Sequence, residues 1–157
     1  MMTISLFRKC RSLRLMVPAT LALLLAACSV DTSPQSVALG SDQCEGCGMT
    51  IEDAKFACEF VSDKGRCMKF DDLSCLFHYL HKKHVSDSTV AKIYVADYTQ
   101  PDSMLDITQA SLVLGSEIHS PMNGGVAAFH NVKTATTFAS KTKSILLDSW
   151  QRLKVQH

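Results

Sequence analysis

The chain has 157 residues, with 16 Lys and Arg against 15 Asp and Glu and a formal net charge of +1. Nothing in that near-neutral balance points to the basic face that nucleic-acid binding demands. The length suffices for one compact domain or two very small lobes.

Arg8, Lys9, Arg11 and Arg14 form a basic start without an acid among them, and Leu15 to Ala27 is an apolar run broken only by Pro18 and Thr20. Such a run is too short to span a bilayer comfortably and reads as a secretory signal, residues 1–27, outside the fold. It ends Leu25-Ala26-Ala27-Cys28, which resembles a bacterial lipobox. That resemblance implies cleavage before Cys28 and diacylglycerol on its sulfur. Ser29 follows rather than Asp, which points to the outer membrane, on the periplasmic side of the envelope. Acyl chains contribute about 0.8 kcal/mol per buried CH₂, so two or more chains hold the protein at the membrane. Loss of residues 1–27 removes four basic residues and no acid, leaving 12 Lys and Arg against 15 acids. Asp31 to Ser41 is rich in Ser, Thr, Pro, Gln and Gly and reads as a flexible tether, making residues 28–42 a lipidated linker.

Next comes Cys44-Glu45-Gly46-Cys47-Gly48-Met49, two thiols and a thioether within six residues. Glycine lets the chain bend so that neighbouring sulfurs converge. Soft sulfur donors select Cu(I) over harder divalent ions. A C-x-x-C alone is shared by zinc, redox and haem chemistry, but the adjacent Met suits neither a structural zinc site nor a thioredoxin-type centre. A Cys44–Cys47 disulfide with Met49 in the core also fits the spacing. After the signal and Cys28, five cysteines remain: Cys44, Cys47, Cys58, Cys67 and Cys75. An odd number in an oxidising compartment leaves at least one free, metal-bound or sequestered.

Phe56 to Val61 and Arg66 to Phe70 read as two strands of a hairpin closed by Asp63-Lys64-Gly65, a three-residue loop ending in Gly. The register sets Val61 opposite Cys67, Phe60 opposite Met68 and Glu59 opposite Lys69. One face then carries Phe56, Cys58, Phe60, Met68 and Phe70. The other carries Glu59 and Lys69 as a cross-strand ion pair. Cys58 and Cys67 fall on opposite faces and should not pair. Asp71-Asp72 caps a helix from Leu73 to Lys83, with Leu73, Leu76, Phe77 and Leu80 on its buried stripe. Cys75 and Tyr79 share another face, where packing against a neighbouring lobe is favoured over a spare soft ligand. His78, His81 and His84 read as a solvated polar face, with an accessory imidazole site as the alternative. Val90 to Tyr98 reads as a strand.

A second unit repeats this pattern 59 residues on. Gly65 to Asp72 aligns with Gly124 to Asn131, bringing Phe70 onto Phe129, and apolar or small positions recur in step through the following helix. Ala110 to Leu114 and Ser144 to Leu147 read as further strands. The expected fold is therefore α+β: two small related lobes, residues 43–98 and 99–157, each a short, mostly antiparallel sheet with one helix. Ser120-Pro121-Met122-Asn123-Gly124-Gly125 is a loop. Met122 on it serves equally as a thioether ligand or as an interface residue.

Taken together, the chain resembles the NosL family of periplasmic copper-chaperone lipoproteins. The resemblance rests on the lipobox at Cys28, Cys47-Gly48-Met49, Phe70-Asp71-Asp72 with Cys75 following, Asp97-Tyr98, and Ser120-Pro121-Met122 with Ala128-Phe129 following. It implies two related lobes, Cu(I) binding, and copper supply to nitrous oxide reductase or its membrane assembly complex. The ligands it carries over are Cys47 and Met49, with Cys44 or Met122 the candidates to complete the site. A binding protein rather than an enzyme is expected. Two other classes compete. One is a thiol-disulfide oxidoreductase using Cys44 and Cys47, which lacks a thioredoxin-like βαβ context and a basic residue within the motif. The other is a structural zinc module, which needs a second paired cluster.

Overall fold

A computed structural model describes residues 30–154; the signal segment and Cys28 lie outside the described residues. Alternation of apolar and polar residues on either side of Gly65 dictates a hairpin. Strands β1 (Cys58–Ser62) and β2 (Cys67–Phe70) pair antiparallel with Glu59 opposite Lys69, Phe60 opposite Met68 and Val61 opposite Cys67. Gly65 takes a φ of +76° in the turn, the left-handed region where only glycine is unstrained. Cys58, Phe60, Met68 and Phe70 are buried on the inner face.

The outer face departs from expectation. Glu59 is fully buried, and the ion pair of Lys69 is with Asp42, at 2.7 Å, rather than with Glu59. What covers this face is the stretch read as a flexible tether. Tyr94 Oη donates to the Thr32 carbonyl at 2.9 Å, Gln35 N–H to Glu59 Oε2 at 2.9 Å, and Lys69 Nζ to the Ser36 carbonyl at 2.7 Å. Val37 adds an apolar contact with the core. Residues from Thr32 to Val37 are thus laid across the sheet by their own backbone polar groups.

Strand β3 (Val90–Asp97) pairs with β1, and β4 (Gln100–Asp106) pairs with β3, completing an antiparallel sheet of order β2-β1-β3-β4. β4 extends the first sheet past residue 98, into the stretch expected to open the second lobe. Its sequence hid it: Gln100-Pro101-Asp102-Ser103 holds no β-branched residue. Pro101 falls where the β3–β4 register shifts, between Met104 and Gln100, at the edge position where proline is tolerated.

The second sheet has order β6-β5-β7, from β5 (Ser111–Leu114), β6 (Val126–Phe129) and β7 (Ile145–Leu146). Helix α1 (Leu73–Lys82) is capped by Asp72, and α2 (Val132–Lys141) by Asn131. Strand, cap and helix therefore recur at the 59-residue offset, with Phe70 and Phe129 both buried at the last strand position. The lobes interlock. Tyr98 N–H donates to the Ala128 carbonyl at 2.8 Å, and the Tyr98 ring meets Phe56, Phe129 and Phe138 at centroid distances of 5.6, 5.6 and 5.0 Å. A last helical turn, α3 (Gln151–Lys154), brings Leu153 back into the first lobe's core, with Trp150 stacked on Phe77. Among the described residues no helix is long and apolar enough to cross a membrane.

Candidate metal centre

The Cys44–Met49 stretch is a tight loop closed on itself. Cys44 N–H donates to the Met49 carbonyl and Gly48 N–H to the Cys44 carbonyl, each at 2.8 Å, and Gln43 and Thr50 form a bridge beneath them. Gly48 takes φ +79°, which reverses the chain between Cys47 and Met49. Glu45 N–H donates to the Lys69 carbonyl at 2.9 Å, pinning the loop to the edge of β2. Gly46 then presses on α1: a Cβ there would stand 2.9 Å from the Cys75 carbonyl oxygen and 3.3 Å from the Cys75 Cβ.

That close approach brings in a residue the sequence pattern assigned to packing. The sulfurs of Cys44, Cys47 and Cys75 all lie within 4.8 Å of one another. Cys44 and Cys75 are buried, and Cys47 is exposed. This is the one convergent group of three Cys, His, Asp or Glu ligands found among the described residues. The sequence offered for Cys75 only its place just after the Asp72 cap and the odd cysteine count. Neither tells which loop the helix start faces.

Partial desolvation of its sulfur beside Cys44 and Cys75 raises the pKa of Cys47 although the residue is exposed, and burial and the neighbouring thiols raise that of Cys75. The Met49 N–H pulls the other way on Cys47 by hydrogen bonding to its sulfur. Without metal, Cys47 and Cys75 are therefore neutral thiols near pH 7, and a metal that recruits them must displace their protons. A set of three sulfurs is soft, a donor set that suits Cu(I), zinc or an iron–sulfur cluster rather than a hard cation.

Asp72 ties the second lobe to this centre. Its Oδ1 accepts from Cys75 N–H at 3.0 Å, capping α1. Its Oδ2 accepts from Ser120 Oγ at 2.6 Å, Met122 N–H at 3.1 Å and Gly124 N–H at 3.4 Å. Gly124 allows the contact, since a Cβ there would come within 2.9 Å of Ser74 Cβ. One buried carboxylate thus fixes both the start of α1, with Cys75 in its first turn, and the loop that carries Met122. Met49 and Met122 are 49% and 41% exposed, so both thioethers are open to solvent rather than tucked into the core or the lobe interface.

The histidine series does not form a site of this kind. His78 and His81 are on α1, but the helix ends at Lys82, and His84 turns off beyond the cap with φ +50°. Cys58 is buried in the core, and burial lifts its thiol pKa well above the ordinary value. Cys67 lies on the opposite face beside Glu59, its pKa pushed up to about 12 by burial and by that carboxylate.

A search of curated proteins gave no match. The model of the NosL family matches residues 37–148. Among solved structures, the crystal structure of the copper chaperone NosL from Shewanella denitrificans is similar, with a TM-score of 0.65 at 20% identity. The likeness covers 77% of this chain and 95% of that one, and it is a likeness of fold: two antiparallel sheets with their helices. The family match takes in the Cys44–Met49 loop, helices α1 and α2 and the Met122 loop, and on that match the chain belongs to the NosL family.

Proposed function

We propose that this protein is a Cu(I)-binding metallochaperone, held to the periplasmic side of the envelope by lipid on Cys28, that supplies copper for the maturation of nitrous oxide reductase. The observation that carries the reading is the sulfur cluster with one open edge. Cys47 and Met49 stand exposed at the rim while Cys44 lies buried behind them. A carrier needs that arrangement, because a recipient's ligand must reach the ion before the donor lets go. The similar fold of a protein described as a copper chaperone supports it. Cys47 supplies a thiolate that neutralises the cation. Met49 adds a thioether without charge, which keeps release easy. Cys44 or Met122 completes the site. The role is binding and transfer, without catalysis.

Thiol-disulfide exchange fits less well, since it requires a thiolate at neutral pH and the partial desolvation of the Cys47 sulfur pushes it the other way. Anaerobic titration with Cu(I) against a competing chelator tests the reading. The wild type should bind one ion, and Cys47→Ala should lose most of the affinity; unchanged affinity in that variant would end the reading. Addition of copper-loaded protein to copper-free nitrous oxide reductase tests delivery, with copper appearing on the enzyme as the expected result. Cys28→Ser should leave the membrane fraction, and a variant that stays there has another anchor.

A further inference from the structure

We infer that Cys75 is a copper ligand, and that the ion sits in a three-thiolate centre of Cys44, Cys47 and Cys75 rather than in one built on the Cys47-Gly48-Met49 segment alone. The inference rests on the Cu(I) reading and deepens it. Three observations support it independently. The three sulfurs lie within 4.8 Å of one another, a spacing that small side-chain rotations close onto one ion at Cu–S bonding distance. Gly46 is the residue that lets the loop reach α1, and the atoms a side chain would meet there belong to Cys75 itself. Cys75 stands in the first turn of a ten-residue helix, where the helix dipole favours negative charge, although its own N–H is already held by Asp72 Oδ1.

The chemistry balances without a redox step. One Cu(I) and three thiols give a copper tris-thiolate carrying two negative charges and release three protons to solvent. The Met49 N–H at the Cys47 sulfur and the start of α1 offset part of that charge, while buried Asp72 opposes it. Two of the ligands are buried and Cys47 is exposed, so a recipient's ligand approaches at Cys47. Met49 and Met122, both solvent-facing, then flank the exit rather than close the inner set.

The test counts protons. Cu(I), supplied anaerobically as its acetonitrile complex at pH 6.5 to the whole mature protein, should release about three protons per ion in a pH-stat. Cys75→Ser should release about two and bind roughly tenfold or more weakly. Cys67→Ser should match the wild type in both. A wild-type count of two, which needs no variant to fold, overturns the inference; so does a folded Cys75→Ser protein with wild-type affinity and proton count. In either case the Cu(I) reading stands, provided Cys47→Ala still loses affinity. Absence of Cu(I) binding by the wild type would overturn both.

Discussion

Asp72 and Ser120 are 48 residues apart and belong to different lobes, yet the Ser120 hydroxyl donates to the Asp72 carboxylate at 2.6 Å with both side chains buried. The other oxygen of the same carboxylate caps α1 at Cys75. A carboxylate is needed because every neighbour of Oδ2 is a donor: Ser120 Oγ, Met122 N–H and Gly124 N–H. Asp72→Asn can keep the cap, but its amide nitrogen would face these donors with a donor of its own. It should cost about 2–3 kcal/mol, the range for disrupting buried hydrogen bonds to a charged group. Ser120→Ala should cost about 1 kcal/mol. Urea unfolding of the two variants reads both, and an Asp72→Asn value within 0.5 kcal/mol of wild type, about the scatter of ordinary surface substitutions, would mean that the carboxylate does not hold the lobes together.

Glu59 sets a pH dependence of known sign. It is fully buried, Gln35 N–H bonds only Oε2, and Oε1 has no N–H or O–H donor. Burial therefore raises its pKa above the ordinary 4.5. In the window between 4.5 and the raised folded value, the unfolded chain has released this proton and the folded chain still holds it. Stability must fall as pH rises through that window. Glu59→Gln should remove this fall, so the variant's melting temperature should change less than the wild type's between pH 4.5 and 7. Parallel curves would show that Glu59 does not titrate differently on folding.

Much of this architecture was legible because it follows local periodicity. The β1–β2 register came from apolar alternation about a Gly turn, and the second lobe from the recurrence of strand, polar cap and helix that aligns Phe129 with Phe70. The elements that were not legible depend on contacts remote in sequence. β4 has weak strand propensity and forms because β3 offers it an edge. Thr32 to Val37 read as a free tether because their composition is polar, yet those polar groups bond to Tyr94, Glu59 and Lys69. Glu59 looked like half of a solvent-facing pair for the same reason, since alternation shows which face is apolar but not what lies over the other. In the candidate site, Cys44, Cys47 and Met49 were visible as a motif. Cys75 was not, because its role depends on how closely a loop approaches a helix.

The sulfur substitutions should separate by position. Cys47→Ala removes the ligand at the open edge and should weaken Cu(I) binding by about 3 kcal/mol, roughly a hundredfold. Cys44→Ala should cost less, and Met49→Ala and Met122→Ala, both exposed thioethers, less again. Cys67→Ala should cost nothing, because Cys67 faces Glu59 on the opposite side of the sheet. Chelator competition across the series gives the ranking. Equal loss for Cys44 and Cys47 together with wild-type affinity in Cys75→Ser would favour a paired dithiol site, and a loss in Cys67→Ala would contradict the placement of the centre.

Gly46 and Gly48 provide a finer test, because they differ in what a methyl group would meet. At Gly48 a Cβ finds nothing within 4 Å, but φ is +79°. Gly48→Ala should cost about 1–2 kcal/mol of backbone strain, with its effect on copper limited to the angle between Cys47 and Met49. At Gly46 the Cβ would stand 2.9 Å from the Cys75 carbonyl oxygen and 3.3 Å from the Cys75 Cβ. The nearest of these is backbone on a capped helix, so it is the loop that must lift. Gly46→Ala should cost about 1–3 kcal/mol of stability, the usual range for overpacking, and should move Cys44 and Cys47 away from Cys75. Its effect on copper should depend on Cys75. In the wild-type background Gly46→Ala should weaken Cu(I) binding, whereas in a Cys75→Ser background the same change should weaken it little further. That non-additivity is the mark of two residues acting through one contact. Losses that simply add would show that Gly46 serves the loop alone and that the approach to α1 does not matter to the metal.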